Sequence, residues 1–332
     1  MRTKYKVAIV GATGLVGRTV LKVLEEQNFP HIYYNLFASE NSAGKKIHFL
    51  NQDFIVRKLD KNAFNSHFDF AIFCAGSTVS EIYAPIAVEH GCTVIDNSSV
   101  FRLDSDVPLV VPEVNPEDIN KNSGIISNPN CSTIQAVLPL KPLNDKYKIK
   151  RIVYSTYQAV SGAGRYGIED LENKAYGKKL KKFPYSIYNN CLPQIDVFLD
   201  NGYTKEEFKM INETRKILHS PDLPITATCV RVPVVNCHSE SINVELEKNF
   251  ELYDVKIMLE NFPGIIVCDD PEKLIYPLAS KANGNDEVFV GRIRRDVSVP
   301  NGLNLWVVAD NLRKGAATNA VQILERLIEF IV

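Results

Sequence analysis

The sequence predicts an α/β protein of two domains: a doubly wound parallel sheet first, then a second, mixed α+β domain. Three observations carry that expectation. Up to about residue 130, short apolar runs alternate with segments of helical periodicity; a glycine-spaced turn joins the first such pair; and from about residue 149 the apolar runs lengthen and the regular alternation stops. Strand-helix alternation is the mark of a parallel sheet covered on both faces.

The chain has 332 residues, 38 basic and 39 acidic side chains, a formal charge of -1 and 45% hydrophobic residues, which suits two full cores. That balance, with no long single-sign run, leaves no footprint for nucleic acid or an anionic membrane. The basic cluster GKKLKKF at 177–183 reads as a solvated loop. The opening MRTKYKVAIVGATG enters a strand without the apolar core of a secretory signal, and no apolar run nears the roughly 20 residues that span a bilayer, so a cytoplasmic protein is expected. Seven cysteines with no CxxC pair favour neither a disulfide framework nor a zinc site. No metal is expected, and most thiols should be small buried hydrophobes.

Residues 5–10 form a short buried strand, glycines follow at 11, 14 and 17, and Leu15, Val16, Val20, Leu21 and Leu24 recur at helical spacing. Such a turn lets the backbone approach a pyrophosphate while the helix N-terminus offers free N–H groups, so this strand-turn-helix unit predicts a Rossmann-type dinucleotide site rather than a merely structural turn. The next strand, about 32–38, runs into ASENSAGKK. Ser39, Asn41 and Ser42 with Lys45 and Lys46 nearby favour NADP over NAD; Glu40 argues the other way. Further units are FDFAIFCAG, a helix over 78–91, and CTVIDNSS. Beyond 149, RIVYSTYQAV, ITATCVRVPVV, EVFVGRIRRD and LNLWVVAD read as longer strands, and RKGAATNAVQILERLIEFIV as a closing helix with a stripe at Ala316, Val321, Leu324, Leu327 and Ile328.

In ISNPNCSTIQAVLPL, Cys131 stands where a strand ends and a helix begins. There the macrodipole stabilises a thiolate, although a small core thiol behind an Asn130 helix cap fits the same residues. Of six histidines only His238, in TCVRVPVVNCHSES, lies in a suggestive context, close in sequence to Arg231. Strict alternation would put those two on opposite strand faces, so a bend at Pro233 or a loop must bring them together.

GATGLVG, SSVFR, SNPNCST, QAVSGAG, NETRKIL, RVPVVNCHSES and DNLRKGAATNAVQ occur in the order found in aspartate-β-semialdehyde dehydrogenases, and the chain resembles that family over its whole length. The resemblance implies NADPH-dependent reduction of β-aspartyl phosphate to aspartate semialdehyde and phosphate, leading to lysine, methionine and threonine. It implies Cys131 as nucleophile, His238 as acid/base with an unperturbed pKa, and Gln158 as the residue that orients substrate. Arg231 becomes the carboxylate binder, Glu213 the ammonium contact, and Lys216, Arg102 and Asn130 phosphate contacts. For NADP it implies Gly11, Thr13, Gly14, Leu15 and Val16 at the pyrophosphate, Ser39 and Glu40 near the adenosine ribose, and Ser161, Gly162 and Asn311 toward the nicotinamide. A nucleotide domain over 1–130, completed by 313–332, a catalytic and dimerisation domain over 131–312, and a homodimer or homotetramer follow. An acyl-CoA reductase, an N-acetylglutamyl-phosphate reductase or a non-catalytic NADP sensor are the rival readings; SNPNCST and NETRK weigh against the first two, and the joint presence of Cys131, Gln158 and His238 against the third.

Overall fold

The run YKVAIV forms β1 (Tyr5–Val10), buried everywhere but at Lys6 as a central parallel strand should be, in a computed structural model that describes residues 4–29, 31–173 and 179–331. After it come α1 (Leu15–Gln27) and β2 (Ile32–Ala38), then a hairpin of β3 (Lys46–Phe49) and β4 (Gln52–Ile55). The two-residue strand β5 (Arg57–Lys58), β6 (Phe70–Phe73), α2 (Ser77–Glu89), β7 (Thr93–Asp96) and β8 (Ile125–Ser127) follow. Apart from the hairpin, these strands form one parallel sheet in the order β5-β2-β1-β6-β7-β8. The order reverses between β1 and β6, where open sheets of this kind bind ligands beyond their carboxyl ends.

Alternate residues of the sheet feed two cores. Val7, Ile9, Leu36, Ile72 and Ile95 pack with Val20 and Leu24 of α1 and with Val321 and Leu324 of the closing helix. Ala8, Val10, Phe37, Ala71 and Phe73 pack on the other face with Phe64, Phe68 and Ala84. The closing helix, Thr318–Ile331, thus completes a first unit made of the chain through Pro129 and again from Ala316; Asn130–Gly315 form the second. This helix starts later than its sequence suggests. Arg313–Ala317 form a π turn, and Gly315 within it lies so close to Cys131 that an added Cβ would stand 2.9 Å from the cysteine's own.

The second unit contains α3 (Cys131–Tyr147), β9 (Ile149–Gln158), α4 (Arg165–Glu172), α5 (Lys205–Ile217), β10 (Ile225–Arg231) and β11 (His238–Leu246). Then come α6 (Leu252–Glu260), β12 (Ile265–Val267), α7 (Ala279–Ala282), β13 (Val288–Asp296) and β14 (Gly302–Ala309). Its mixed sheet runs β10-β9-β11-β14-β13-β12. Helix α3 lies on the β9, β11 and β14 strands and α5 on β10. Along β11, His238, Glu240, Ile242, Val244 and Leu246 are buried on the helix side, while Ser239, Ser241 and Asn243 on the other side are part-exposed.

The expected strand ITATCVRVPVV stops at Arg231. Val232 still donates its N–H to Gln158, but Pro233 has none to give, and the ladder ends there. In GKKLKKF, Gly177 and Lys178 lie outside the described residues; Lys181 and Lys182 are exposed in a loop, as expected, while the Asp170 carboxylate anchors the backbone by accepting the N–H groups of Lys181, Lys182 and Phe183. Among the described residues no helix is long and apolar enough to cross a membrane.

Candidate active site

In the first unit the site is built from backbone. Gly11 takes φ +87°, and a Cβ there would stand 2.8 Å from the Cys74 carbonyl at the end of β6; at Gly17 a Cβ would stand 2.2 Å from the Gly11 oxygen. Only glycine lets the turn and α1 close on each other this tightly. Gly14 caps α1 with no side-chain bond, leaving the N–H groups of the first turn for an anion. A cleft of about 480 Å³ opens here, lined by Gly11, Thr13, Gly14, Ser39, Leu59 and Tyr83 among others. Its turn and helix start, with an adenosine-sized cleft beyond, fit a dinucleotide.

Charge at the cleft mouth differs from the sequence expectation. Lys46 faces Asp53 across the hairpin at 3.9 Å, and Lys45 Nζ reaches Ser42 Oγ at 3.5 Å. The cation beside Glu40 is Lys58, 2.8 Å away, set there because β5 pairs with the end of β2, Lys58 opposite Ala38. A two-residue edge strand leaves no periodicity to read, so sequence reasoning passed over Lys58. Arg102 is 7% exposed and donates Nε to the Asn128 carbonyl and Nη2 to that of Asn97.

In the second unit the site is built from side chains. Asn130 caps α3, its Oδ1 accepting the N–H groups of Ser132 and Thr133, which sets Cys131 at the first helical position. Cys131 Sγ lies 3.1 Å from His238 Nε2. The Ala159 N–H donates to His238 Nδ1 at 3.0 Å, so the neutral ring carries its proton on Nε2, facing the sulfur. The expected ordinary histidine pKa is corrected: burial, then the Arg231 charge, push it well below the usual value. His238 is therefore a neutral N–H donor near pH 7 and not half of a thiolate–imidazolium pair.

Arg231 and His238 do meet. Gly162 shows it best, since a Cβ there would lie 3.0 Å from Arg231 Nη1 and 3.2 Å from His238 Cε1. Their sequence parity is undone by the 232–237 connection, with Cys237 at φ +72°. Arg231 is 5% exposed, donates Nη1 to the Ala159 carbonyl and interacts with the charge of Cys131. Gln158, opposite Arg231 in the ladder, donates Nε2 to Thr156 and Glu206.

Glu206 is the residue that sequence reasoning missed here. Its Oε1 accepts from Asn130 Nδ2 at 2.9 Å and from Gln158 Nε2 at 3.3 Å, and its Oε2 lies 3.1 Å from Lys209 Nζ. Burial pushes this carboxyl up, but Lys209, Asn130 and Arg231 outweigh it and hold it ionised below its usual range. It stands in the first turn of α5, where acids are ordinary helix starters and Thr204 with Glu207 forms a capping box, so its sequence gives no sign. Glu213 is 1% exposed and accepts the Asn130 N–H at 2.6 Å; Lys216, part-buried, ends the same helix.

Two expectations change character. The Asn130 side chain is committed to the α3 cap and to Glu206, so it places Cys131 and is not a free phosphate donor. Asn311 is 2% exposed; its Oδ1 accepts the Cys237 N–H and its Nδ2 donates to Ser161 Oγ. It ties the loop bearing Ser161 to the residue before His238 and has little surface left for a cofactor.

Residues 6–122 match the family model described as semialdehyde dehydrogenase, NAD binding domain, and 140–314 match semialdehyde dehydrogenase, dimerisation domain. The aspartate-semialdehyde dehydrogenase of Aquifex aeolicus is 56% identical, covering 98% of each chain. Aspartate semialdehyde dehydrogenase II of Vibrio cholerae, solved complexed with ASA, is 48% identical with a TM-score of 0.94 over 98% of each chain. The Candida albicans enzyme, solved with NADP, is 27% identical with a TM-score of 0.78 over 98% of each chain. The chain belongs to the aspartate-semialdehyde dehydrogenase family, oxidoreductases of amino-acid biosynthesis that carry out the NADPH-dependent reductive dephosphorylation of β-aspartyl phosphate.

Proposed function

We propose that this chain runs the family reaction through an acyl-thioester on Cys131, with His238 as the donor to oxygen and Arg231 as the cation for the substrate carboxylate. The observation that carries the reading is the 3.1 Å Cys131–His238 contact at the start of α3. The helix N-terminus and the Arg231 guanidinium favour the thiolate. The sulfur attacks the carbonyl carbon; the C–S bond forms, the bond to the phosphate oxygen breaks, and phosphate leaves with the electron pair. NADPH, when bound, supplies the hydride. His238 Nε2–H then stabilises the oxyanion on the carbon attached to sulfur. The C–S bond breaks, the aldehyde forms, and Cys131 departs as thiolate.

Gln158 orients the acyl group, Glu213 receives the ammonium, and Lys216 and Arg102 bind phosphate, which is the second substrate in the reverse direction. The Gly11–Gly14 turn with Thr13, Leu15 and Val16 would hold the pyrophosphate, Ser39 and Glu40 the adenosine ribose, and Ser161 and Gly162 the nicotinamide. The chain through Pro129 is the nucleotide domain and Asn130–Gly315 the catalytic and dimerisation domain. A groove of about 460 Å³ on the open face of the second sheet, lined by Tyr157, Ser239, Ser241, Arg292, Arg294 and Trp306 among others, supports a homodimer through this face. Seven free thiols fit the reducing cytoplasm.

Cys131→Ala tests the reading. It should abolish phosphate-dependent NADPH formation from aspartate semialdehyde while NADP binding and far-UV circular dichroism persist; turnover by the variant would remove Cys131 from the mechanism. Alkylation should be followed in a Cys191→Ser background, because Cys191 is the other thiol of note: it is exposed, whereas burial pushes Cys92 and Cys237 up to about 12.

A further inference from the structure

Beneath the Cys131–His238 pair lies a carboxyl that the reaction does not use. Glu240 is 0% exposed, two residues along β11 from His238 and on the same buried side. Neither of its oxygens makes a hydrogen bond, and Ser132 Oγ and Gln135 Oε1, on the first turns of α3, are also buried without one. Ser132 Oγ nevertheless lies close enough to the carboxyl to act on its ionisation. Gln135 Nε2 donates to the His238 carbonyl at 3.3 Å.

The titratable groups that face Glu240 from the neighbouring elements are Glu206 of α5, Tyr154 of β9 and Cys229 of β10; none is a cation. Burial pushes the Glu240 carboxyl well above its usual range; Ser132 opposes it in part, and the Glu206 charge adds a smaller upward push. An ionised carboxylate here would be unpaired in the interior, which costs several kcal/mol. Gln135 Oε1 is itself a buried acceptor without a donor, and of the two forms of a carboxyl only the protonated one can supply a donor.

We propose that Glu240 is a neutral carboxylic acid serving as a positioning residue: it accepts from Ser132 Oγ and donates to Gln135 Oε1, directly or through a bridging water, fastening the first turns of α3 to the start of β11. Cys131 precedes Ser132 and His238 receives Gln135, so the sulfur-to-imidazole geometry depends on this fastening. The proposal rests on the thiol mechanism above.

A purely structural buried acid and a positioning acid behave differently on replacement. Glu240→Leu, of similar volume, leaves Ser132 Oγ and Gln135 Oε1 buried without a partner and should lower Tm; it should also lower kcat by roughly tenfold to a hundredfold with NADP affinity unchanged, since small displacements of catalytic groups carry penalties of that order. Glu240→Gln keeps a neutral donor and acceptor and should retain most of kcat. Because the folded state holds the Glu240 proton above pH 4.5 and the unfolded chain does not, this group lowers stability increasingly as pH rises; the Tm gain of Glu240→Gln should therefore be larger at pH 8 than at pH 5. In the wild type, isotope-edited infrared spectroscopy at pH 7 should show a protonated carboxyl band that Glu240→Gln removes. Full kcat in Glu240→Leu, or a Glu240→Gln variant as impaired as Glu240→Leu, would overturn the proposal, as would absence of the infrared band. None of these results alters whether Cys131→Ala is inactive, so the thiol mechanism is judged separately.

Discussion

The dinucleotide turn and the thiol site recognise charge by opposite means. At the first, Gly11, Gly14 and Gly17 let backbone N–H groups do the binding, and the charged side chains at its rim, Glu40 and Lys58, are 76% and 48% exposed. At the second, Asn130, Gln158, Glu206, Arg231 and His238 are all buried; Asn130 and Gln158 both donate to Glu206, and Ala159 ties Arg231 to His238. The backbone site tolerates rim changes because water screens them. The buried network does not, because a lost partner leaves an unpaired group in the interior.

This difference makes graded predictions. Arg231→Ala should have the largest effect, costing about 2–5 kcal/mol in kcat/KM for aspartate semialdehyde, with Arg231→Lys also poor because it lacks the bidentate fork. If kcat/KM held while Tm fell, Arg231 would be structural. Glu206→Gln should come next: it leaves Arg231 without its buried counter-charge and Lys209 with Asp196 alone, and should lower stability by about 3 kcal/mol, with a fall in kcat/KM alongside. Denaturant titration with steady-state kinetics checks both, and a silent variant would break the claim that the network acts as a unit.

At the rim, Lys58→Ala should weaken NADP binding only roughly fivefold to tenfold, the loss of a single charge-assisted contact to the 2′-phosphate, and leave NAD unaffected. Glu40→Gln should tighten NADP. Both effects should shrink in high salt, and equal losses for NADP and NAD on fluorescence titration would return Lys58 to a plain surface role. The smallest effect concerns pH. His238 is buried neutral with its pKa pushed well below 6.5, so the unfolded chain takes up a proton there that the folded chain refuses, and stability falls as pH drops below about 6.5. His238→Asn should flatten that part of the Tm profile between pH 7 and pH 5; an unchanged slope would mean that the imidazole titrates normally.

Much of this was legible in the residues themselves. β2 over Ile32–Ala38 and the glycine turn announced themselves because backbone requirements leave strong local marks. Cys131 at its helix start did too. Glu240 was equally readable: HSESINVEL alternates, and Glu240 falls on the buried phase with His238 and Ile242, a charged residue where only an apolar or functional one belongs. Glu206 and Lys58 were not. Each owes its role to a partner far away in the chain, Asn130 at 76 residues and Glu40 at 18, and no local pattern distinguishes such an acid or lysine from a surface one. The joining of Arg231 and His238 needed a loop whose path only the fold reveals.

The most direct test of the account isolates the acyl-enzyme. Wild-type protein mixed with aspartate semialdehyde and NADP in rigorously phosphate-free buffer should stop after a burst of NADPH approaching one per active site. Rapid quenching and peptide mass spectrometry should then find an aspartyl acyl group on the peptide bearing Cys131, lost again when phosphate or arsenate is added and steady turnover resumes. Steady turnover without either anion, release by coenzyme A in place of phosphate, or an acyl group on any residue other than Cys131 would contradict it.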